Sequence, residues 1–242
     1  MIYNKIYDFC KIRNYGNATK NGIDEYPPRL YFIINLIEEL GIDYNVIKFK
    51  DNRFKNNYFY NIYLKGNSDK MAISHHDIYN PNIDNANDNS ASIINCISLK
   101  LLNPDINIAI IDGEEPPCLG VGSKKLSLDI IDGYFGKISY VLNLELTGKG
   151  GETFFIGKMG SNLENKIINM FNSYTYNVPF NDSFILLKHG IDSTVITTIP
   201  LINNKPDYSI MYKIHSDLDN IDSISVDDMK NFTEKIALKI LN

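Results

Sequence analysis

Leu30, Ile33, Ile34, Ile37 and Leu40 recur at three- and four-residue intervals, which predicts a helix over residues 28–40, and Gly41 follows where a C-terminal cap belongs. Residues 44–50 and 58–65 alternate aromatic or branched side chains with polar ones on either side of the turn formers Asp51-Asn52-Arg53, so they predict a hairpin. From Met71 the pattern changes. Short apolar runs at 71–74, 106–111 and 138–146 alternate with a helix-like stretch at 90–102, the mark of an α/β fold. The chain closes on a helix that starts at the capping sequence Ser225-Val226-Asp227-Asp228. It lays Val226, Met229, Phe232, Ile236 and Ile240 on one face, the face expected to pack on the sheet. No internal repeat, low-complexity linker or charge block interrupts the pattern, so residues 1–242 are expected to form a single catalytic domain.

Composition narrows the function. Lys plus Arg number 24 against 29 Asp plus Glu, a formal net charge of −5, and no basic stripe exists to neutralise phosphates, which argues against nucleic acid. No run approaches the ~20 apolar residues of a membrane span, and the opening segment is charged throughout, so a protein without membrane attachment or secretory signal is expected. Cys10, Cys96 and Cys118 form no CxxC pair, which argues against a disulfide framework or zinc knuckle and places the expectation in a reducing cytoplasm.

In open α/β sheets ligands bind beyond the carboxyl ends of strands, and here those ends collect metal-ligand types. His75-His76-Asp77 follows the first buried run. Residues two apart in extended chain point the same way, so His75 and Asp77 share a side and His76 faces elsewhere. Asp88 precedes the next helix, where free N–H groups and the helix dipole keep a carboxylate ionised. Asp112-Gly113-Glu114-Glu115 follows the second run, Glu145 ends the third, and His215 stands just before the terminal helix. Each feature alone has a plainer reading: Glu114-Glu115 as a solvated surface pair, Asp88 as a cap, His189 as a surface residue, Cys118 as a small buried hydrophobe. His76 is read as structural, holding its loop by a backbone hydrogen bond, and the acceptor triplet Asn17-Ala18-Thr19 has no meaning without export.

Taken in order, His75-His76-Asp77, Asn87-Asp88-Asn89-Ser90, Asp112-Gly113-Glu114-Glu115, Leu142-Asn143-Leu144-Glu145 and His215-Ser216-Asp217-Leu218-Asp219 resemble the co-catalytic di-zinc exopeptidases, the family of the bacterial leucyl aminopeptidases and glutamate carboxypeptidase. The resemblance spans about residues 68 to 241 and implies a three-layer α/β/α fold around a mixed, mostly parallel sheet. It further implies one zinc on His75 and Glu145, a second on Glu115 and His215, and Asp88 bridging them. Cobalt or manganese suit the same ligands. Three carboxylates then face two dications, and a shared hydroxide, the nucleophile, completes neutrality. By the same resemblance Glu114 is the general base, Asp77 orients His75, and Tyr212 donates to the developing oxyanion. Two departures stand out. Glu145 occupies a place where many such aminopeptidases carry Asp, and the loop Asp182-Ser183-Phe184 lacks the family's His.

The leading expectation is a zinc-dependent aminopeptidase acting on small peptide substrates. A glutaminyl cyclase, a single-zinc relative, is the second reading; such enzymes do not need His75, whose presence speaks against it. A non-catalytic binding relative is the third. Two, one or no zinc ions per chain separate the three.

Overall fold

The computed structural model describes residues 2–12, 26–54, 57–171 and 173–242; the triplet Asn17-Ala18-Thr19 lies outside the described residues. The helices are α1 (Ile6–Phe9), α2 (Pro28–Glu39), α3 (Ala91–Leu102), α4 (Val121–Ile131), α5 (Asn162–Met170), α6 (Asp182–Lys188), α7 (Val226–Phe232) and α8 (Leu238–Leu241). Eight strands form the main sheet: β1 (Asn45–Phe49), β2 (Phe59–Leu64), β3 (Lys70–His75), β4 (Asn107–Ile111), β5 (Tyr140–Leu144), β6 (Phe154–Gly157), β7 (Tyr174–Tyr176) and β8 (Ser193–Thr198). Their order is β1-β2-β4-β3-β5-β8-β6-β7. The pairings β1/β2, β2/β4 and β6/β8 are antiparallel and the rest parallel, so the sheet is mixed and mostly parallel, as expected. A small ribbon of β9 (Leu201–Ile202) and β10 (Lys205–Pro206) stands apart from it.

The central strands are buried on both faces, and their side chains alternate between two apolar layers. Ala72, Ile108, Ile110, Leu142 and Leu144 join α2, α3 and α7 in one layer. Met71, Ile73, Ala109, Ile111 and Val141 join Leu126 and Ile130 of α4 and Leu186 of α6 in the other. A fully buried Ile or Leu contributes about 1.5–3 kcal/mol over an exposed one, so a one-residue slip in β3 or β4 is strongly disfavoured, and with it any displacement of the polar residues that follow.

The helix at 28–40 and the β1/β2 hairpin form where the sequence pattern puts them, and Gly41 caps α2 at φ +65°. The third run is shorter than its apolar pattern. β5 starts at Tyr140 and stops at Leu144, because Leu146 adopts a left-handed φ of 53° that ends extended chain. The final helix forms with a π turn, Thr233–Ala237, between α7 and α8. Only half of its capping box closes. Ser225 Oγ accepts from Asp228 N (3.2 Å), but the Asp228 carboxylate instead accepts from Gly150 N (2.9 Å), tying the helix start to the loop after β5. No helix among the described residues is long and apolar enough to cross a membrane.

Candidate metal centre

The chain leaves β3 through α3 toward β4 on one side, then returns past β3 through α4 to β5 on the other. The carboxyl ends of β3 and β5 therefore flank a topological switch point. His75 ends β3 and Glu145 follows β5, and there His75 Nε2 lies 3.3 Å from Glu145 Oε2.

Asp88 stands between two such pairs. Its Oδ1 is 3.3 Å from His75 Nε2 and its Oδ2 is 3.1 Å from His215 Nε2, which in turn lies 3.2 Å from Glu115 Oε1. One carboxylate thus offers one oxygen to the His75/Glu145 pair and the other to the Glu115/His215 pair. Ligand atoms of His75, Asp88 and Glu115 all fall within 4.8 Å of one another. Two imidazoles and three carboxylates converging in this way make a donor set that fits zinc. Glu145 Oε1, buried with no hydrogen-bond partner among the described residues, is a further acceptor that a cation would satisfy.

The supports of these candidate ligands are polar and mostly buried. Asp77 Oδ1 lies 3.4 Å from His75 Nδ1, and the same carboxylate accepts from Glu114 N (3.1 Å) and Glu115 N (2.9 Å). With Nδ1 turned to Asp77, Nε2 is the nitrogen that faces Asp88 and Glu145. Asp88 does not sit in a regular helix. It occupies an irregular turn, Ala86–Ser90, with φ −111° and ψ 88°, followed by a cis peptide bond to Asn89. That turn is held from three directions. Asp219 accepts from Asn87 N (2.7 Å) and Asp88 N (3.1 Å), Asn89 Nδ2 donates to Leu144 O (3.0 Å) and Glu145 Oε2 (2.6 Å), and Arg29 Nη2 donates to Ser90 Oγ (2.9 Å). Arg29 Nε also donates to His76 O (3.2 Å), so one buried guanidinium of α2 ties the turn before α3 to the loop after β3.

Charge is concentrated here. Burial opposes ionisation of every group, yet the hydrogen bonds from His215 and His75 hold Asp88 below the usual carboxylate range. Burial raises Glu115 and Glu145, and it pushes Glu114 well up, with the charges of Glu145, Asp182 and Glu115 adding to the shift. Hydrogen bonds to Asp88 and Glu115 bring His215 to about 10, and Glu145, Asp77 and Asp88 hold His75 well above its ordinary value although burial works against it. The same excess of negative charge is what a pair of cations would balance.

Among the candidates read from the sequence, His75, Asp77, Asp88, Glu114, Glu115, Glu145 and His215 all gather at this rim, and Glu114 lines the cavity in front of it. Tyr212 does not. The short helical turn Tyr208–Tyr212 turns Met211 and the following Ile214 toward the cavity and leaves Tyr212 84% exposed, so the expected oxyanion donor points to solvent. His76 bonds Tyr60 O through Nε2 (2.8 Å), and His189 bonds Ile185 O through Nδ1 (2.8 Å), both outside the centre. Asp219, Asn89 and Arg29 are supports to which the sequence reading assigned no role. The only local signal was that Asn89 adjoins Asp88 and Asp219 follows His215 by four residues.

The cavity in front of the centre encloses about 220 Å³. The acids Asp88, Glu114, Glu115 and Glu145 line it together with Leu119, Leu146, Val178, Phe180, Val195 and Ile214 among its apolar residues. Tyr176 OH and Thr197 Oγ1, 2.9 Å apart, both line it.

The profile of peptidase family M28 matches residues 62–240. A search of curated protein sequences finds no match. Among solved structures, the chain is similar to the Legionella pneumophila LapA aminopeptidase, with a TM-score of 0.70 at 14% identity over 99% of this chain and 70% of that one. It is similar also to a leucine aminopeptidase precursor from Bacteroides thetaiotaomicron, with a TM-score of 0.70 at 15% identity over 99% and 95% of the two chains. The glutaminyl cyclase of the same organism gives a TM-score of 0.72 at 14% identity over 99% and 96%. At these identities the likeness is one of fold.

Proposed function

The chain belongs to peptidase family M28, and we propose that it is a di-zinc aminopeptidase that releases residues from the amino end of short peptides. The observation that carries this reading is the sharing of Asp88, one oxygen toward His75 and Glu145 and the other toward Glu115 and His215. When bound, a pair of zinc ions supplies a Lewis-acid field that polarises a substrate carbonyl and activates water at neutral pH.

The residues of the chain do the rest. His75, Asp88 and Glu145 would hold one ion and Asp88, Glu115 and His215 the other. Asp77 orients His75 and, through the amides of residues 114 and 115, fixes the loop that presents both glutamates. Glu114, lining the cavity and raised by burial, takes a proton from the attacking water and returns it to the leaving amine. Attack at the amino end is supported by charge. No Lys or Arg lines the cavity among the described residues, so no side-chain cation there would pair with a substrate's free carboxylate, and Glu114, the one lining carboxylate not assigned to an ion, leaves an acceptor for a substrate ammonium. The apolar walls suit an uncharged terminal side chain.

A panel of aminoacyl and N-blocked substrates, run on protein of measured zinc content, tests the proposal. Hydrolysis of free-amine substrates by protein holding two zinc ions is expected. Cyclisation of amino-terminal glutamine by protein holding one zinc ion would favour the cyclase reading instead.

A further inference from the structure

The two imidazoles of the centre are held very differently. His75 is 1% exposed and faces Asp77 on one nitrogen and Asp88 and Glu145 on the other, so its ring has no room to turn. The side chain of His215 is 35% exposed, and its backbone takes a left-handed φ of 62° that is uncommon for a residue with a β-carbon. Its ring is stacked on Tyr79, with centroids 4.1 Å apart and planes inclined by 15°. Tyr79 is itself half exposed and lies outside the cavity.

Tyr79 belongs to the loop that follows His75, the last residue of β3. Three alternate residues at the end of β3 and in this loop therefore touch both halves of the centre: His75 offers its ring to Asp88 and Glu145, Asp77 receives the amides of Glu114 and Glu115, and Tyr79 covers the ring of His215. We infer that Tyr79 is a positioning residue for the second ion: by stacking on His215 it keeps that ring turned toward Asp88 and Glu115. The inference rests on the two-ion reading above. Without the stack, the half-exposed ring gains rotamers that point Nε2 away from the site, and only the ion that depends on His215 is loosened.

The test is a zinc titration of metal-stripped protein against a chromogenic chelator, on wild type, Tyr79→Ala, Tyr79→Phe and His215→Ala. Tyr79→Ala should weaken by about three- to tenfold the binding step that His215→Ala removes, with the other step held within about twofold. Tyr79→Phe should restore both steps, because the ring and not the hydroxyl makes the stack. Tyr79 is half exposed, so its loss leaves no cavity and the melting temperature of stripped Tyr79→Ala should stay within about 2 °C of wild type. Unchanged binding in Tyr79→Ala, or equal weakening of both steps, would overturn the assignment. Fewer than two zinc ions on the wild type would instead overturn the two-ion reading, and the Tyr79 assignment would then be decided at the single His215-dependent site that remains.

Discussion

Replacing Glu114 by Gln separates catalysis from architecture. The backbone N–H of residue 114 donates to Asp77 Oδ1 at 3.1 Å, a bond the substitution preserves, and the side chain lines the cavity, where Gln has the same length and shape. What disappears is a proton acceptor, so kcat/KM should fall by about 10²–10⁴-fold, a barrier increase of about 3–5 kcal/mol. Stability should move the other way. Burial and the neighbouring charges of Glu145, Asp182 and Glu115 raise the folded-state pKa of Glu114. A raised pKa means that the protonated form stabilises the fold below the unfolded value of about 4.3 and that this contribution is lost as pH rises through the folded value. Gln cannot ionise and loses nothing over that interval. Metal-stripped Glu114→Gln is therefore expected to be more stable than wild type at pH 7.5 and equal to it near pH 4, while the zinc content of the loaded variant should match that of loaded wild type. Urea unfolding of the stripped proteins and turnover of leucine p-nitroanilide by the loaded ones measure both arms. Activity within about tenfold of wild type would refute the assigned role, and a variant less stable than wild type at pH 7.5 would refute the electrostatic argument.

Asp88→Asn leaves one oxygen where two are used and removes the shared negative charge, so the variant should lose zinc on gel filtration; a variant that retains two ions would place the bridge elsewhere. Partly buried Asp112 and buried Asp182 and Asp219 sit at about 6, about 7 and about 6, in each case raised first by burial. Their contribution is greatest below about pH 4 and fades as pH rises through those values, and His215, raised to about 10, acts in the same direction. Thermal melts of stripped protein should thus show lower stability at pH 7.5 than at pH 5, with added zinc removing the difference; a melting temperature that climbs with pH in the stripped protein would contradict this. Burial raises the Cys10 thiol to about 12 and the Cys118 thiol to about 11, and it raises Cys96 as well. A disulfide reagent at pH 8 should label none of the three within minutes in native protein and all three in urea, whereas rapid native labelling would show that one of them is activated.

Among the candidate ligands, His75, Glu115 and Glu145 were legible in the sequence because each closely follows a strand whose apolar run is unambiguous, whereas Asp88 and His215 stood out only by their order in the family resemblance. Once β3, β4 and β5 are buried on both faces, the polar residues after them have one place to go. Residues 121–131 and 154–188 were much less legible. α4 carries its apolar face on Val121, Leu126 and Ile130 amid Gly, Ser and Lys, and β7 is three partly exposed residues that pair only with β6. The direction of Tyr212 depends on a short helical turn whose phase no periodicity reveals. The supports were hidden for another reason: Asp219 binds the amides of residues more than a hundred positions away, and Arg29 reaches carbonyl and hydroxyl groups of two distant loops. Such contacts follow from tertiary closure and leave no local pattern.

Anomalous diffraction at the zinc edge from crystals of the loaded protein would examine the centre most directly. Two peaks are expected about 3.5–4 Å apart, one beside each oxygen of Asp88. A single peak, or a second one remote from His215, would contradict the shared-carboxylate centre.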